Sequence, residues 1–513
     1  MGRSLVRNVF SNWTGLVLNM ATAFFMSPFL VRNLGDTWYG LWVLILSTTG
    51  YMSLLDGGLR ISIVKYVAKL DAVDAADELN RIVTTALSIY GGLSLLVLMG
   101  TVGIAVAFPH IFHISPDVVP TARTVVLIAG VSVAVSLLNA VFGGFIAGMQ
   151  RYDLATQSGI VILILRTIAL VWLIRHGYGI VALGLVHLAT QIGSGIWQVW
   201  ICFRLRPDLR VGRAYISLAS TKTLYGYSVF VLMNNIANIL LFRTGEMLAG
   251  MFLGPVAVTY YAIAGTLTEY LQKIIVTMTM VLHPYSSAKD AKGDAAGLRR
   301  VVLVGTKVCL LIALPVTAIL VIVGHPFIAA WMGAPYAVQA APVLVVLAIG
   351  RLFWFAQAGT GEILLGVGRH KQLAVLNIVT GVLSFLGGMT LIQRYGLYGM
   401  AIGASIPLAI VQGIVVPIYS ARALQVPGSD YLREAVVRPV LATLPFGILL
   451  ALTMRFYHPS TLPGVFLAVV VAAPAYLLGA WFLGFERQER LSYLPLFLPS
   501  RSRAGDTQGG VAS

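Results

Sequence analysis

Nine charged side chains interrupt the apolar stretches of this chain: Asp56, Arg60, Arg166, Arg243, Glu246, Glu269, Lys273, Arg351 and Glu362. A charge at the centre of a membrane-spanning helix costs roughly 2.5 to 3.5 kcal/mol, so each needs a partner or a water-filled cavity. Asp56/Arg60 and Glu269/Lys273 are spaced i,i+4 with the acid first, and Arg243/Glu246 is spaced i,i+3. Each pair reads either as an intrahelical ion pair or as two ligands for something else. Arg351 and Glu362 return to one helix face about 16 Å apart and cannot meet directly. Arg166 has no acid within a helical turn. Either Glu246, Glu269 or Glu362 neutralises it from another helix, or it awaits an anion, for which the planar guanidinium fork offers paired donors. Asn19, Asn234, Asn235 and Asn238 add amides that can bond neighbouring helices, a hydroxylated ligand or a cation.

Other chemistry is thin. His110 and His113 sit at i,i+3 without a third ligand and read as loop surface rather than a metal site. Cys202 and Cys309 lie in apolar stretches and read as buried thiols. No cofactor is expected.

The elements that must hold these charges are membrane helices. The chain is 58% hydrophobic and 11% charged, whereas a soluble domain carries about a quarter charged residues. Apolar stretches bounded by charge, Gly or Pro fall near 9–31, 38–58, 82–108, 121–147, 154–174 and 179–203. Six more fall near 224–253, 256–285, 301–324, 338–366, 372–392 and 398–420, and a last pair near 436–456 and 462–484. The expected fold is thus all-α and integral to the membrane, with about 14 spans in two six-helix lobes plus a C-terminal pair. The divisions are 1–210 for the first lobe, 211–222 for a linker, 223–425 for the second lobe, 426–485 for the pair, and 486–513 for a disordered tail.

Lys and Arg distribute unevenly over alternate connections. With the N-terminus cytoplasmic, 26 lie in inside segments, among them Lys307, and only Arg32, Arg123, Arg175, Arg394 and Arg455 lie outside. The positive-inside rule then places both termini in the cytoplasm. It also accounts for the net charge of +16 without nucleic acid as a partner. The longest outer connections, near 109–120 and 325–337, hold a single acid, Asp117, which leaves no room for a catalytic loop and argues against an enzyme.

A shift of 219 residues lays Tyr66–Val83 on Tyr285–Val302 without a gap and matches seven of eighteen positions, among them Asp71/Asp290 and Arg81/Arg300. The same shift pairs Asn19 with Asn238 and Leu34-Gly35 with Leu253-Gly254, and a shift of 218 pairs Gly148 and Arg151 with Gly366 and Arg369. Six helices per unit is an even number, so the repeats are parallel, as in transporters whose two lobes rock about a central cavity. The intramembrane charges do not recur: Arg166 falls on Phe385, Glu269 on Gly50 and Lys273 on Leu54. The last pair has no counterpart and is expected to be peripheral.

The chain also resembles a known group, the polysaccharide-flippase branch of the multidrug/oligosaccharidyl-lipid/polysaccharide exporter superfamily, which includes O-antigen flippases. The resemblance rests on Asn12, Phe29, Leu34-Gly35, Tyr39-Gly40-Leu41-Trp42, Leu55-Asp56-Gly57-Gly58-Leu59 and Gly148-Met149-Gln150-Arg151. It implies a transporter of the bacterial inner membrane that carries a polyprenyl-diphosphate-linked sugar to the periplasmic leaflet for polysaccharide biosynthesis. A polymerase or glycosyltransferases would act beside it, and Na+, H+ or the membrane potential would drive it. On this reading Arg60, Arg166, Arg243, Lys273 and Arg351 bind substrate, and Asp56, Glu246, Glu269 and Glu362 serve coupling or ion pairing. Asn19, Asn234 and Asn238 line a polar cavity. The alternative is a cation-coupled multidrug exporter of the same superfamily.

Overall fold

A computed structural model of the chain describes residues 2–112, 114–225, 228–486 and 489–490, the side chains of 2–12, 228–231 and 370 excepted. His113 and most of the expected tail lie outside the described residues. Those residues form helices and connections without a strand, as lipid demands of a backbone that must bond to itself.

The first lobe begins with α1 (Gly2–Leu34), α2 (Asp36–Gly50), α3 (Leu59–Ala72) and α4 (Ala76–Ile111). It continues with α5 (Val119–Gly148), α6 (Tyr152–Arg175), α7 (Gly179–Leu205) and the short connecting helix α8 (Leu218–Tyr225). The second comprises α9 (Ser228–Phe242), α10 (Thr244–Leu253), α11 (Pro255–Thr279), α12 (Leu282–Ala291), α13 (Ala295–Trp331), α14 (Ala334–Gly366), α15 (His370–Ile410) and α16 (Val416–Ala423). A single turn, α17 (Gly428–Asp430), leads to the last pair, α18 (Arg438–Phe456) and α19 (Leu462–Gly479).

Ten of these segments are long and apolar enough to cross a membrane alone, and the bent pair α9/α10 makes eleven. The 53-residue stretch through α15 and α16 counts once by length but turns back at Gly396, whose φ of 58° no helix contains. With that division, and with α2 and α11, the described residues hold the fourteen spans expected.

Three expected spans end or break differently. The second stops in a 3-10 turn, Tyr51–Asp56, because Gly57 and Gly58 are both left-handed, and the chain re-enters as the separate helix α3. The seventh is broken at Arg243 with a bend of 44°. The eighth ends at Thr279, and its last turns belong to α12.

Backbone turns recur with the sequence repeat. Gly35 and Gly254, 219 apart, have φ of 83° each, and Asp74 and Gly293 have 53° and 66°. Gly177 matches Gly396 at 81° and 58°, and Gln150 matches Gly368 at 55° and 75°. Asn19 and Asn238 each bond the carbonyl four residues back, of Gly15 and Asn234.

The lobes share an apolar core at one end. A continuous apolar core gathers the ends of α1, α4, α6, α10 and α13 with the starts of α2, α5, α7, α11 and α14, all at the face poor in Lys and Arg. At the basic face the cores divide, one within α3, α4, α5 and α7 and another within α13, α14, α15 and α16. In lipid such contacts rest on close packing. A Cβ on Gly40 would stand 1.8 Å from the Pro255 carbonyl oxygen, and one on Gly250 would strike the Leu44 side chain. Thr259 Oγ1 donates to the Asp36 carbonyl at 2.7 Å, and Trp331 Nε1 donates to the Phe24 carbonyl at 2.9 Å.

The last pair packs against the second lobe, although it has no counterpart in the repeat. Phe446, Leu450, Val465 and Ala472 pack on Val323 of α13. Arg438 and Glu486 pair at 2.6 Å. Lys307, counted above with a basic connection, is only 2% exposed within α13 and donates to both Glu489 oxygens, at 2.9 and 3.0 Å.

Candidate functional site between the lobes

Where the lobes part, the turn after α2 and the inner half of α5 face α9 across a cavity of about 420 Å³. Asp56, Arg60 and Ser136 line it from the first lobe, and Asn235 and Asn238 from the second. The Gly57–Gly58 turn is what separates Asp56 from Arg60, because both glycines adopt φ values that would strain other residues. The i,i+4 ion pair that the spacing allows therefore does not form. Asp56 instead accepts the Tyr90 hydroxyl from α4. Arg60 is exposed and has no ion-pair partner among the described residues.

Asn238 also lines a second cavity, of about 320 Å³, enclosed by α9, α11, α14 and α15. Its polar lining includes Asn234, Gln272, Gln357, Glu362 and Gln412. Glu362 lies 3.6 Å from His283 Nδ1 rather than beside Arg351. Helix-to-helix bonding, the plainer reading of the asparagines, does not hold for Asn238, whose amide bonds its own helix. Asn19 does the same on α1 and is exposed, outside both cavities.

The break between α9 and α10 holds a separate charge cluster. Arg243 Nη1 lies 3.6 Å from Glu269 and 3.9 Å from Glu246. Glu246, 5% exposed, accepts from Ser47 Oγ of α2 at 3.0 Å, and Tyr51 bonds Thr244 at 3.2 Å, so the cluster ties the lobes together. Glu269 is taken by Arg243, not by Lys273, whose ammonium is exposed and lies 5.9 Å from the Tyr270 ring centroid. Arg351 is 3% exposed, donates to Thr268 Oγ1 and stacks on Phe242. Buried in this way it lines neither of the two cavities.

Arg166 lies on α6, and His187 of α7 packs edge-on to Trp42 of α2. No ion pair reaches Arg166 among the described residues, and all three acids that might neutralise it are engaged elsewhere. It lines neither cavity.

Tyr90, Ser47, His187 and the glutamines of the second cavity were not foreseen. An amide within an apolar stretch is itself a signal, and Gln272, Gln357 and Gln412 could have been found by it. Nothing in the sequence marks Tyr90, because its role comes from which helix faces Asp56.

The sequence profile described as polysaccharide biosynthesis protein matches residues 5–289. An uncharacterised membrane protein, EpsK of Bacillus subtilis, is 22% identical over 96% of this chain and 97% of its own. A putative O-antigen transporter of Shigella flexneri is 20% identical over 79% and 94%. Among solved structures, the lipid II flippase MurJ in an inward closed conformation matches with a TM-score of 0.69 and 13% identity, over 96% of this chain and 99% of that one. An inward-facing multidrug resistance MATE transporter also gives 0.69, with 14% identity, over 80% and 94%. These two likenesses establish a shared fold.

Proposed function

This chain belongs to the polysaccharide biosynthesis protein family, and from that premise we propose that it is a flippase for a polyprenyl-diphosphate-linked sugar. It carries the intermediate from the cytoplasmic to the periplasmic leaflet of the bacterial inner membrane by alternating access. The basic face is cytoplasmic, as are both termini, on the strength of the 26 to 5 distribution of Lys and Arg.

The observation that carries this reading is Arg60, unpaired in a cavity that both lobes line. Its guanidinium suits a diphosphate, which offers bidentate acceptors. Asn235 and Asn238 present amides on the opposite wall, suited to sugar hydroxyls. Arg166 is a second cation without a fixed partner, and the diphosphate meets it as the lobes rearrange. Arg243 and Lys273 are the remaining candidate ligands, the first held by acids and the second exposed. Glu246, Glu269 and Glu362 are the groups to which a coupling Na+ or H+ would go. Glycosyltransferases supply the substrate, and a polymerase consumes the product.

A multidrug exporter for organic cations fits less well, because Asp56 is the one acid lining the cavity between the lobes and Tyr90 occupies it. The test is complementation of a strain lacking its own O-antigen-type flippase, with membrane abundance read by immunoblot. Restored surface polysaccharide that is lost in Arg60→Ala supports the reading. Resistance to organic cations without restored polysaccharide overturns it.

A further inference from the structure

Another cavity lies apart from these. A groove of about 600 Å³ runs between α11, α12 and α13. Along α13 its lining residues fall at helical spacing on one face: Gly297, Val301, Val304, Val308 and Ile312. From Gly297 to Ile312 that face extends about 22 Å, so the groove reaches from the basic surface well into the apolar layer. A volume of 600 Å³ falls within the range of small-molecule sites.

Its charged lining is Lys289, Arg300 and Glu489. Arg300 is exposed, has no partner among the described residues and repeats Arg81 of the first lobe. Lys289 lies beside it, bonded to Asp294 at 2.7 Å and close to the Tyr285 ring. The acid on the wall, Glu489, is already held on Lys307. Thr279 lines both this groove and the polar cavity of Asn234, Asn238 and Gln272, so one turn of α11 is all that separates them.

We propose that this groove is the loading site of the transporter, where the isoprenoid chain of the lipid-linked substrate lies along α13 with its diphosphate on Arg300 and Lys289. An apolar slot with cations at its surface end, beside a polar chamber, is complementary to a single-chain amphiphile standing in the basic-side leaflet. A diphosphate at the mouth stays at headgroup depth while the chain remains in hydrocarbon, so neither part is moved from the medium that solvates it. The proposal rests on the flippase reading above and deepens it.

Farnesyl diphosphate is the probe, with farnesol and phosphatidylglycerol as comparison ligands, and binding to the full chain in detergent is read by native mass spectrometry. The full chain should retain farnesyl diphosphate, and Val308→Trp, which fills the groove, should weaken retention by about tenfold or more. Arg300→Gln, an exposed change that leaves the fold intact, should weaken the diphosphate several-fold and leave farnesol unchanged. Arg422→Gln, an exposed base on the same face, should alter neither. Equal retention in Val308→Trp and Arg300→Gln overturns the proposal, as does phosphatidylglycerol displacing the probe at equal concentration. Complementation separates this from the flippase reading. A Val308→Trp chain that loses the probe yet restores polysaccharide fully removes the groove from the transport path while the flippase reading stands. If the unaltered chain binds the probe but never restores polysaccharide, the flippase reading fails and the loading role fails with it.

Discussion

Tyr90 of α4 donates its hydroxyl to Asp56, the acid that stands four residues before Arg60 and that the Gly57–Gly58 turn separates from it. The acid in the cavity between the lobes is therefore held by a residue 34 positions away.

Removing that hydroxyl leaves Asp56 as an unpartnered acid in the cavity that Arg60 lines, where it competes with the anion for that cation. Tyr90→Phe is expected to lower complementation by about tenfold at normal abundance, since a hydrogen bond to a charged ligand contributes roughly 1.5 to 3 kcal/mol. Tyr90→Phe combined with Asp56→Asn should recover most of the activity, because the competing charge is gone. If the single variant is fully active, Arg60 is not controlled in this way.

Arg166 provides a second, independent test. Arg166→Lys keeps the charge but loses the fork, so partial function is expected, whereas Arg166→Ala should lose most of it, both at unchanged membrane levels. Because Glu246, Glu269 and Glu362 have partners of their own, neutralising any of them should not rescue Arg166→Ala. Rescue by Glu→Gln at one of the three would show that Arg166 serves only as a counter-ion.

The contacts of Ser47 with Glu246 and of Tyr51 with Thr244 join the lobes. Removing both, as Ser47→Ala with Tyr51→Phe, forfeits about 1 to 3 kcal/mol of closure, which shifts an equilibrium about 5- to 150-fold. A cysteine in place of Thr259, at the base-poor contact, should then react several-fold faster with an impermeant maleimide. An unchanged rate would show that these bonds do not hold the closed end.

Orientation is testable with single cysteines in a Cys202→Ser, Cys309→Ser background. Cysteines at the exposed positions Asp117 and Pro335 should be labelled from outside intact cells, and cysteines at Gly212 and Lys292 should not. Lys292 is preferable to its neighbour Gly293, whose φ of 66° a cysteine would strain. The opposite labelling reverses the topology and with it the direction of transport.

The Lys307–Glu489 pair makes the C-terminal segment part of the second lobe. Glu489→Gln strands a buried ammonium and should cost about 3 to 5 kcal/mol, seen as reduced abundance and a lower Tm. Lys307→Met with Glu489→Leu should restore both. Normal abundance in the single variant would mean that Lys307 reaches water by another route.

Some of this protein was legible residue by residue. Apolar stretches of span length, the excess of Lys and Arg on alternate connections and the 219-residue repeat are properties of the chain alone. They led to an all-helical membrane protein of two lobes and a last pair. The glycines at 35 and 254, which that repeat pairs, were equally informative, because a positive φ is a local requirement that a sequence can meet in only a few ways.

Only the tertiary structure decided how the charges are used. Sequence spacing allowed Asp56 to pair with Arg60 and Glu269 with Lys273, yet Asp56 goes to Tyr90, Glu269 to Arg243, Glu362 to His283 and Lys307 to Glu489. A helical turn brings i and i+4 together only where the helix continues, and the Gly57–Gly58 turn ends one helix between Asp56 and Arg60. For the rest, the cost of an isolated charge in lipid makes each side chain seek the nearest opposite group in space. Which group that is depends on the helix packed alongside, and helix neighbours are set by packing over the whole fold rather than by order in the chain.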